Sequence, residues 1–557
     1  MISFDEDKQK QKVAELLRKE EEEVMQALSQ KFGLEYIDLS NTSIDGDALR
    51  LIDEQTSRDN KIAAFDLVDR KLKIAVRNPE DEQVKVIVKN LESKGYTPTL
   101  YLASTTSLER AQKGYKELSY TFETKAGSLE ISNQEIVEVI KKVRALPDVI
   151  VLIKEVLALK KSARISRILE IVVAGALATD ASDVHIEPEE SYVRLRYRLD
   201  GVLIDVITFD IETYLLLLSR IKLLSGLKLN IKKDAQDGRF SVKIEAADIE
   251  IRTSILPGAY NESIVLRILN PKAIAVPMEE LGIQKKLLGI LEHEIRKPNG
   301  MILTTGPTGS GKTTTLYAFL KKIHSPDIKI ITIEDPIEYH LPGIVQTQTN
   351  EKGYTFLEGL RSALRQDPDV IMVGEIRDSE TAGIAINSSL TGHLVFSTLH
   401  TNSAAGAFPR LIDLGVNSKI ITSAINITLA QRLVRKLCAA CKKEKSPTPE
   451  EQQKVASILG TIHDRSEVPT SIQLWEAAGC DACNHTGYKG RIGIYEAILK
   501  DKAVEEVIEM NPSDRELAKA AIPQGIYTMR QDGIIKVLNG VTSLPELGRV
   551  IDLENEV

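Results

Sequence analysis

The densest chemistry in the chain lies at Gly306, Pro307, Thr308, Gly309, Ser310, Gly311, Lys312 and Thr313. This run fits G-x-x-x-x-G-K-[ST], a loop that cradles nucleotide phosphates. The glycines let backbone N–H groups turn inward on phosphate oxygens, and the helix that follows aims its positive end at the same anion. Lys312 is expected to reach the β- and γ-phosphates of ATP, Thr313 to ligate Mg2+, and Thr314 to close the nucleotide-binding stretch. Downstream, the apolar run Val370–Val373 ends in Gly374 and Glu375. An acid at the end of such a strand serves the metal and the attacking water; Gly374 stands where an Asp is usual, so Glu375 must serve. Ile331–Ile333 runs into Glu334, Asp335, Pro336 and Glu338. A carboxylate there can orient or deprotonate water, with Glu334 the first choice and Glu338 the second. His393 and His400 bracket Leu394–Thr398, and each could donate to a γ-phosphate. The bland alternatives are solvated acids and satisfied structural histidines.

The four cysteines, Cys438, Cys441, Cys480 and Cys483, form two C-x-x-C pairs. In a reducing compartment such pairs point to metal rather than disulfides. Four thiolates can close a tetrahedral, structural Zn2+ site, with an iron–sulfur cluster or redox thiols as alternatives. His485 lies two residues past Cys483 and is expected outside the ligand set.

These groups need elements to hold them. Met301–Thr305, Ile328–Ile333, Val370–Val373 and Leu394–Thr398 read as apolar strands separated by helical runs. That rhythm predicts a mostly parallel sheet flanked by helices. Upstream, Ser166–Ala178 reads as an amphipathic helix. Residues 192–203 read as a hairpin turning at Asp200-Gly201, with Arg194, Arg196 and Arg198 on one face. The whole is an α/β multidomain chain. We divide it into an N-terminal α/β domain (1–118), a polar linker (119–147), a second domain (148–272) and an ATPase domain (279–557) that contains the tetracysteine subdomain (436–495).

With 557 residues, several cores are expected. The net charge of −8 and 5% aromatic content speak against a dedicated nucleic-acid binder, which uses basic grooves and stacking rings. No apolar run approaches the roughly 18–20 residues of a membrane span, and the start, MISFDEDKQKQK, does not read as a secretory signal. A cytoplasmic protein is expected.

In their order, GPTGSGKT, TIEDPIE, RSALRQDPDVIMVGEIRD and TGHLVFSTLHTN resemble the Walker A, Asp box, Walker B and His box of the type II/IV secretion ATPases. DASDVHIEP, RYRLDGVL and QDGR upstream, and LCAAC and GCDACNHTGYKGRIGIYE downstream, extend the likeness over about 150–500; residues 31–118 resemble the family's N-terminal domain more weakly. The resemblance implies a RecA-like P-loop domain, a PAS-like second domain and a homo-hexamer acting on an inner-membrane platform protein at the cytoplasmic face. Of the family's two roles we expect type IV pilus assembly ahead of type II secretion, and the charge and aromatic content lead us to expect no nucleic-acid partner; a nucleic-acid translocase of related fold is the competing class. It also implies that second-domain arginines lie near the phosphates, by position Arg196, Arg198, Arg239, Arg252 and Arg267. Asn261 departs from the family, standing where a glycine is usual. The Arg-Leu-Gly motif through which some relatives bind cyclic di-GMP is missing; the comparable stretch reads KVAELLRKEEEEV, and that ligand is not expected.

Overall fold

The computed structural model describes residues 21–39, 42, 44–49, 51–68, 70–93, 95–118, 133–158, 161–244, 247–270, 276–350, 353–510 and 512–554. The helix-prone start up to residue 20, which holds most of the stretch compared for cyclic di-GMP, lies outside them, as do residues 119–132. The chain divides into two compact units, Met1–Ser128 and Leu129–Val557. In the first, strands Glu35–Tyr36, Thr97–Leu102, Lys71–Val76 and Ile62–Val68 lie side by side in that order. Alternation along the strands feeds two small cores, Ala63, Phe65 and Ala75 on one face and Ile62, Leu72, Ile74 and Val76 on the other.

The second unit opens with two helices, Asn133–Lys142 and Leu146–Leu157, whose Ile136, Val139, Val149 and Ile153 are fully buried in a shared core. This corrects the reading of 133–147 as linker: Glu138, Lys141 and Lys142 occupy the outer face of an amphipathic helix rather than a free tether. The same core is completed by helices Lys161–Ala178 and Ile211–Leu224 and a six-stranded antiparallel sheet. The hairpin strands Val193–Leu199 and Val202–Phe209 alternate as read, sending Val193, Leu195 and Tyr197 inward and the arginines between them outward. Asn261 adopts φ 144°, a conformation that favours glycine, and its Oδ1 accepts from Glu262 N at 3.0 Å. The turn therefore keeps its glycine-like backbone, with the short amide anchoring it locally.

The rest of the unit is built on a seven-stranded sheet: β1 (Gly300–Thr305), β2 (Ile330–Glu334), β3 (Val345–Gln348), β4 (Val370–Val373), β5 (Leu394–Leu399), β6 (Ile425–Leu437) and β7 (Tyr488–Leu499). Their spatial order is β3-β2-β4-β5-β1-β6-β7, parallel except for β6 against β7. Every residue of β1, β2, β4 and β5 is buried, as helices on both faces require of a parallel sheet. Met301, Ile331, Ile371 and Val395 pack on one side, and Ile302, Ile330, Val370 and Phe396 on the other. The order places β1, β4 and β5 in the middle, so their C-terminal ends share one edge, the usual place for a ligand in an open α/β sheet. No helix among the described residues is long and apolar enough to cross a membrane.

Candidate nucleotide site and metal centre

Beyond β1 the chain turns through Gly306, Gly309 and Gly311, with φ of 148°, 77° and 89°, and enters helix α1 (Lys312–Ile323). Close approach, as well as φ, demands glycine at the first. A Cβ on Gly306 would stand 2.6 Å from Ser310 Oγ and 2.7 Å from Gln431 O. Gln431 Nε2 donates to Ser310 O at 2.6 Å, so β6 braces the loop from below. Lys312 Nζ turns back on the loop, donating to Gly306 O (2.8 Å) and Pro307 O (3.1 Å). Burial lowers the Lys312 ammonium's pKa; the Glu375 carboxylate opposes that shift and the Arg432 guanidinium adds to it. Ser310 Oγ is buried with no hydrogen-bond partner among the described residues. A glycine-lined loop, a helix N-terminus, an orphaned hydroxyl and a lysine together fit a polyphosphate.

Glu375 stands at the same edge, just past β4. One of its oxygens pairs with Arg377 and the other lies 3.3 Å from His400 Nε2. Gly374 explains the absent Asp: a Cβ there would meet Ile333 O at 3.2 Å and Phe356 at 3.4 Å, while Gly374 N donates to Ile333 O at 2.8 Å. The backbones of β2 and β4 come close at that point, so a side chain there would be tightly packed. Just past His400, Thr305 Oγ1 accepts from Thr401 N at 2.9 Å, tying the end of β1 to the end of β5.

The structure does not bring His393 to this edge. It precedes β5, and its Nδ1 lies 3.1 Å from Ser388 O. Gly300 at the start of β1 faces Leu394, and Thr305 at its end faces Leu399. The six-residue strand thus separates His393 from the loop by about 20 Å. The γ-phosphate role read for His393 is therefore corrected: a strand that places one flanking residue at the phosphate edge puts the other at the opposite edge.

Glu334 ends β2 but points inward and is 3% exposed. Its carboxylate accepts from Tyr317 Oη, from Thr332 Oγ1 at 2.5 Å and from Gln346 Nε2 at 3.0 Å. Burial, and then the Glu334 charge, push the Tyr317 hydroxyl's pKa well up, so it stays a donor. In this arrangement Glu334 is held by protein donors rather than offered to water. Glu338 lies 3.6 Å from Arg252 Nη1.

The five arginines read from the second domain have different partners. Arg196 makes a fork with Glu187 (2.9 and 2.8 Å), Arg198 and Arg267 share Asp183 (3.4 and 3.1 Å), and Arg239 is exposed, 3.9 Å from Glu250. Arg252 reaches the ATPase domain, donating to Ile337 O at 2.8 Å beside Glu338. Three participants were missed in the sequence. Arg377 was legible, two residues beyond Glu375; Gln431 and Arg432 were not, because only the pairing of β6 beside β1 brings them to the loop.

The antiparallel pairing of β6 and β7 joins the two cysteine pairs, with Cys438 N donating to Gly487 O at 2.9 Å. The four Sγ atoms lie within 4.8 Å of one another, with Cys438–Cys480 at 3.9 Å and Cys441–Cys483 at 3.8 Å. A tetrahedron of thiolates about 2.3 Å from Zn2+ has edges of about 3.8 Å, so the donor set fits zinc. His485 faces Asp481 at 3.0 Å. Two contacts tie this lobe to the second domain: Asn484 Oδ1 accepts from Leu146 N at 2.8 Å, and Asp200 Oδ2 from Gly490 N at 2.9 Å.

Sheet order, phosphate loop and acid edge define a RecA-like P-loop ATPase. More narrowly, the chain belongs to the type II/IV secretion system protein family, which it matches over residues 158–549; residues 32–118 match the MshEN domain. It is 46% identical over 390 residues to a type II secretion system protein E of Aeromonas hydrophila, covering 70% of this chain and 76% of that one. It is 33% identical over 535 residues to the type IV pilus assembly ATPase PilB of Myxococcus xanthus, covering 95% and 91%. The solved Yersinia pseudotuberculosis ATPase DotB superposes with a TM-score of 0.50 at 18% identity, over 70% of this chain and 94% of that one, a likeness of fold.

Proposed function

We propose that the chain is a cytoplasmic, homo-hexameric motor that spends ATP on type IV pilus assembly through an inner-membrane platform protein. Residues 306–314 hold the nucleotide, with Lys312 released from the loop carbonyls onto the β- and γ-phosphates. Mg2+ held at Thr313 would neutralise charge on those phosphates. Glu375 takes the proton of the attacking water, Arg377 and His400 orient it, and His400 reports on the γ-phosphate. Glu334 braces the floor of the site through Tyr317, Thr332 and Gln346. Of the second-domain arginines, Arg252 is the best placed to exchange its contacts at Ile337 and Glu338 for phosphate. The observation that carries the enzymatic reading is the gathering of Lys312, Glu375 and His400 at one sheet edge.

Pilus assembly is favoured over export because the likeness to the Myxococcus xanthus protein runs through 95% of the chain, the N-terminal domain included. Type II export is the second reading, favoured by the 46% identity to the Aeromonas hydrophila protein. Deleting the gene and scoring surface pili against exported protein separates them: loss of pili with export intact is expected, and the reverse gives the second reading. Glu375→Gln should bind ATP normally yet release phosphate at least about 100-fold more slowly. Unchanged turnover would remove Glu375 from the mechanism. Single-stranded DNA should not stimulate turnover.

A further inference from the structure

Arg432 sits on β6 two residues past Ala430, which pairs with Thr305 at the mouth of the phosphate loop. Its guanidinium is half-buried and faces two loops at once. On one side, Nη1 donates to Gln431 O at 3.0 Å and stands 3.1 Å from where a Cβ on Gly306 would be. On the other, Nη2 donates to Asn402 O at 3.1 Å and to Asn402 Oδ1 at 3.3 Å, two residues beyond His400. The same loop is pinned further on, where Ala404 N donates to Glu496 Oε1 (2.9 Å) and Thr428 Oγ1 donates to Ala404 O (3.0 Å). The segment after His400 thus rests on β6 and β7 as well as on Thr305 at the end of β1, and Arg432 is the side chain of β6 that holds it at Asn402.

We infer that Arg432 is a positioning residue for hydrolysis, which clamps the loop carrying His400 to strand β6 beside the phosphate loop and so holds His400 against Glu375. A planar fork with several donors can bridge two backbone segments; the single ammonium of a lysine cannot hold both in one geometry. The inference rests on the reading of Glu375 and His400 as the groups that handle water and γ-phosphate.

The test is a double-mutant cycle in the full-length protein, read by steady-state ATP turnover and by titration with a fluorescent ATP analogue. Arg432→Gln and His400→Ala should each lower kcat about tenfold, with analogue affinity within about threefold of the parent. The double variant should be no slower than the slower single, because both changes disable one device. Arg432→Lys, the milder change, should lose kcat to a similar extent while keeping the parent's melting temperature. Multiplicative losses in the double variant, a loss confined to KM, or full activity in Arg432→Lys overturns the proposal. Glu375→Gln run alongside tells the two failures apart: if it turns over normally, the reading of the site falls, whereas a dead Glu375→Gln with an additive cycle removes Arg432 alone.

Discussion

At the scale of single residues, the edge of a parallel sheet sorts the groups that sequence spacing leaves together. His393 and His400 flank one strand and are equally near the phosphate motifs in sequence, yet the strand delivers them to opposite edges. His400→Ala should slow steady-state ATP turnover about tenfold or more. His393→Ala should leave turnover within about twofold and lower stability by about 1 kcal/mol, through loss of its bond to Ser388 O. Comparable kinetic loss in both variants would contradict this geometry. Glu334 and Glu375 are sorted by burial. One is wrapped by three side-chain donors; the other meets a guanidinium and an imidazole at the mouth.

At the scale of elements, the strands of the ATPase sheet were legible because central parallel strands are mostly apolar and each ended in a motif. Expected and observed bounds of the strand before the phosphate loop differ by one residue. The helices at 133–157 were read in part as linker because exposed Glu138, Lys141, Lys142 and Arg144 mask short apolar stripes. Gln431 and Arg432 were invisible for another reason: nothing in a linear string says that β6 lies against β1. The cysteine lobe was legible in spacing alone, since four thiols at the ends of two antiparallel strands have few other uses. Cys438→Ser should drop bound zinc from about one per chain to near zero by mass spectrometry and melt the lobe ahead of the sheet. Full-length parent protein free of zinc would remove the metal reading.

At the scale of the whole molecule, the last helix, Leu544–Val550, is locked back onto β6 by one buried acid. Glu546 accepts from Arg435 at 2.6 Å and from Arg549 at 2.7 Å. Burial would raise its pKa, but the bonds from Arg549 and Arg435 outweigh it and pull the carboxyl down to about 2 from 4.5. A pKa lowered on folding stabilises the fold above the unfolded value, and that contribution drains away as pH falls through the folded one. The gap is worth about 3 kcal/mol. Denaturant midpoints of the parent should therefore fall as pH drops from about 4.5 towards 2, and Glu546→Gln should show less of that slope. Equal slopes would contradict the assignment.

Strand β6 has a mechanical consequence. It runs as one strand from Ile425 to Leu437, with a register irregularity against β7 between Arg435 and Leu437, passing the phosphate loop at Ala430 and ending where the cysteine lobe begins. From Ala430 to Cys438 it is about 26 Å of extended backbone. The lobe at its far end grips the second domain through Asn484 and Gly490. A swing of that domain would thus reach the nucleotide along one strand with no loop in between, and the release of phosphate would travel the other way to become a stroke.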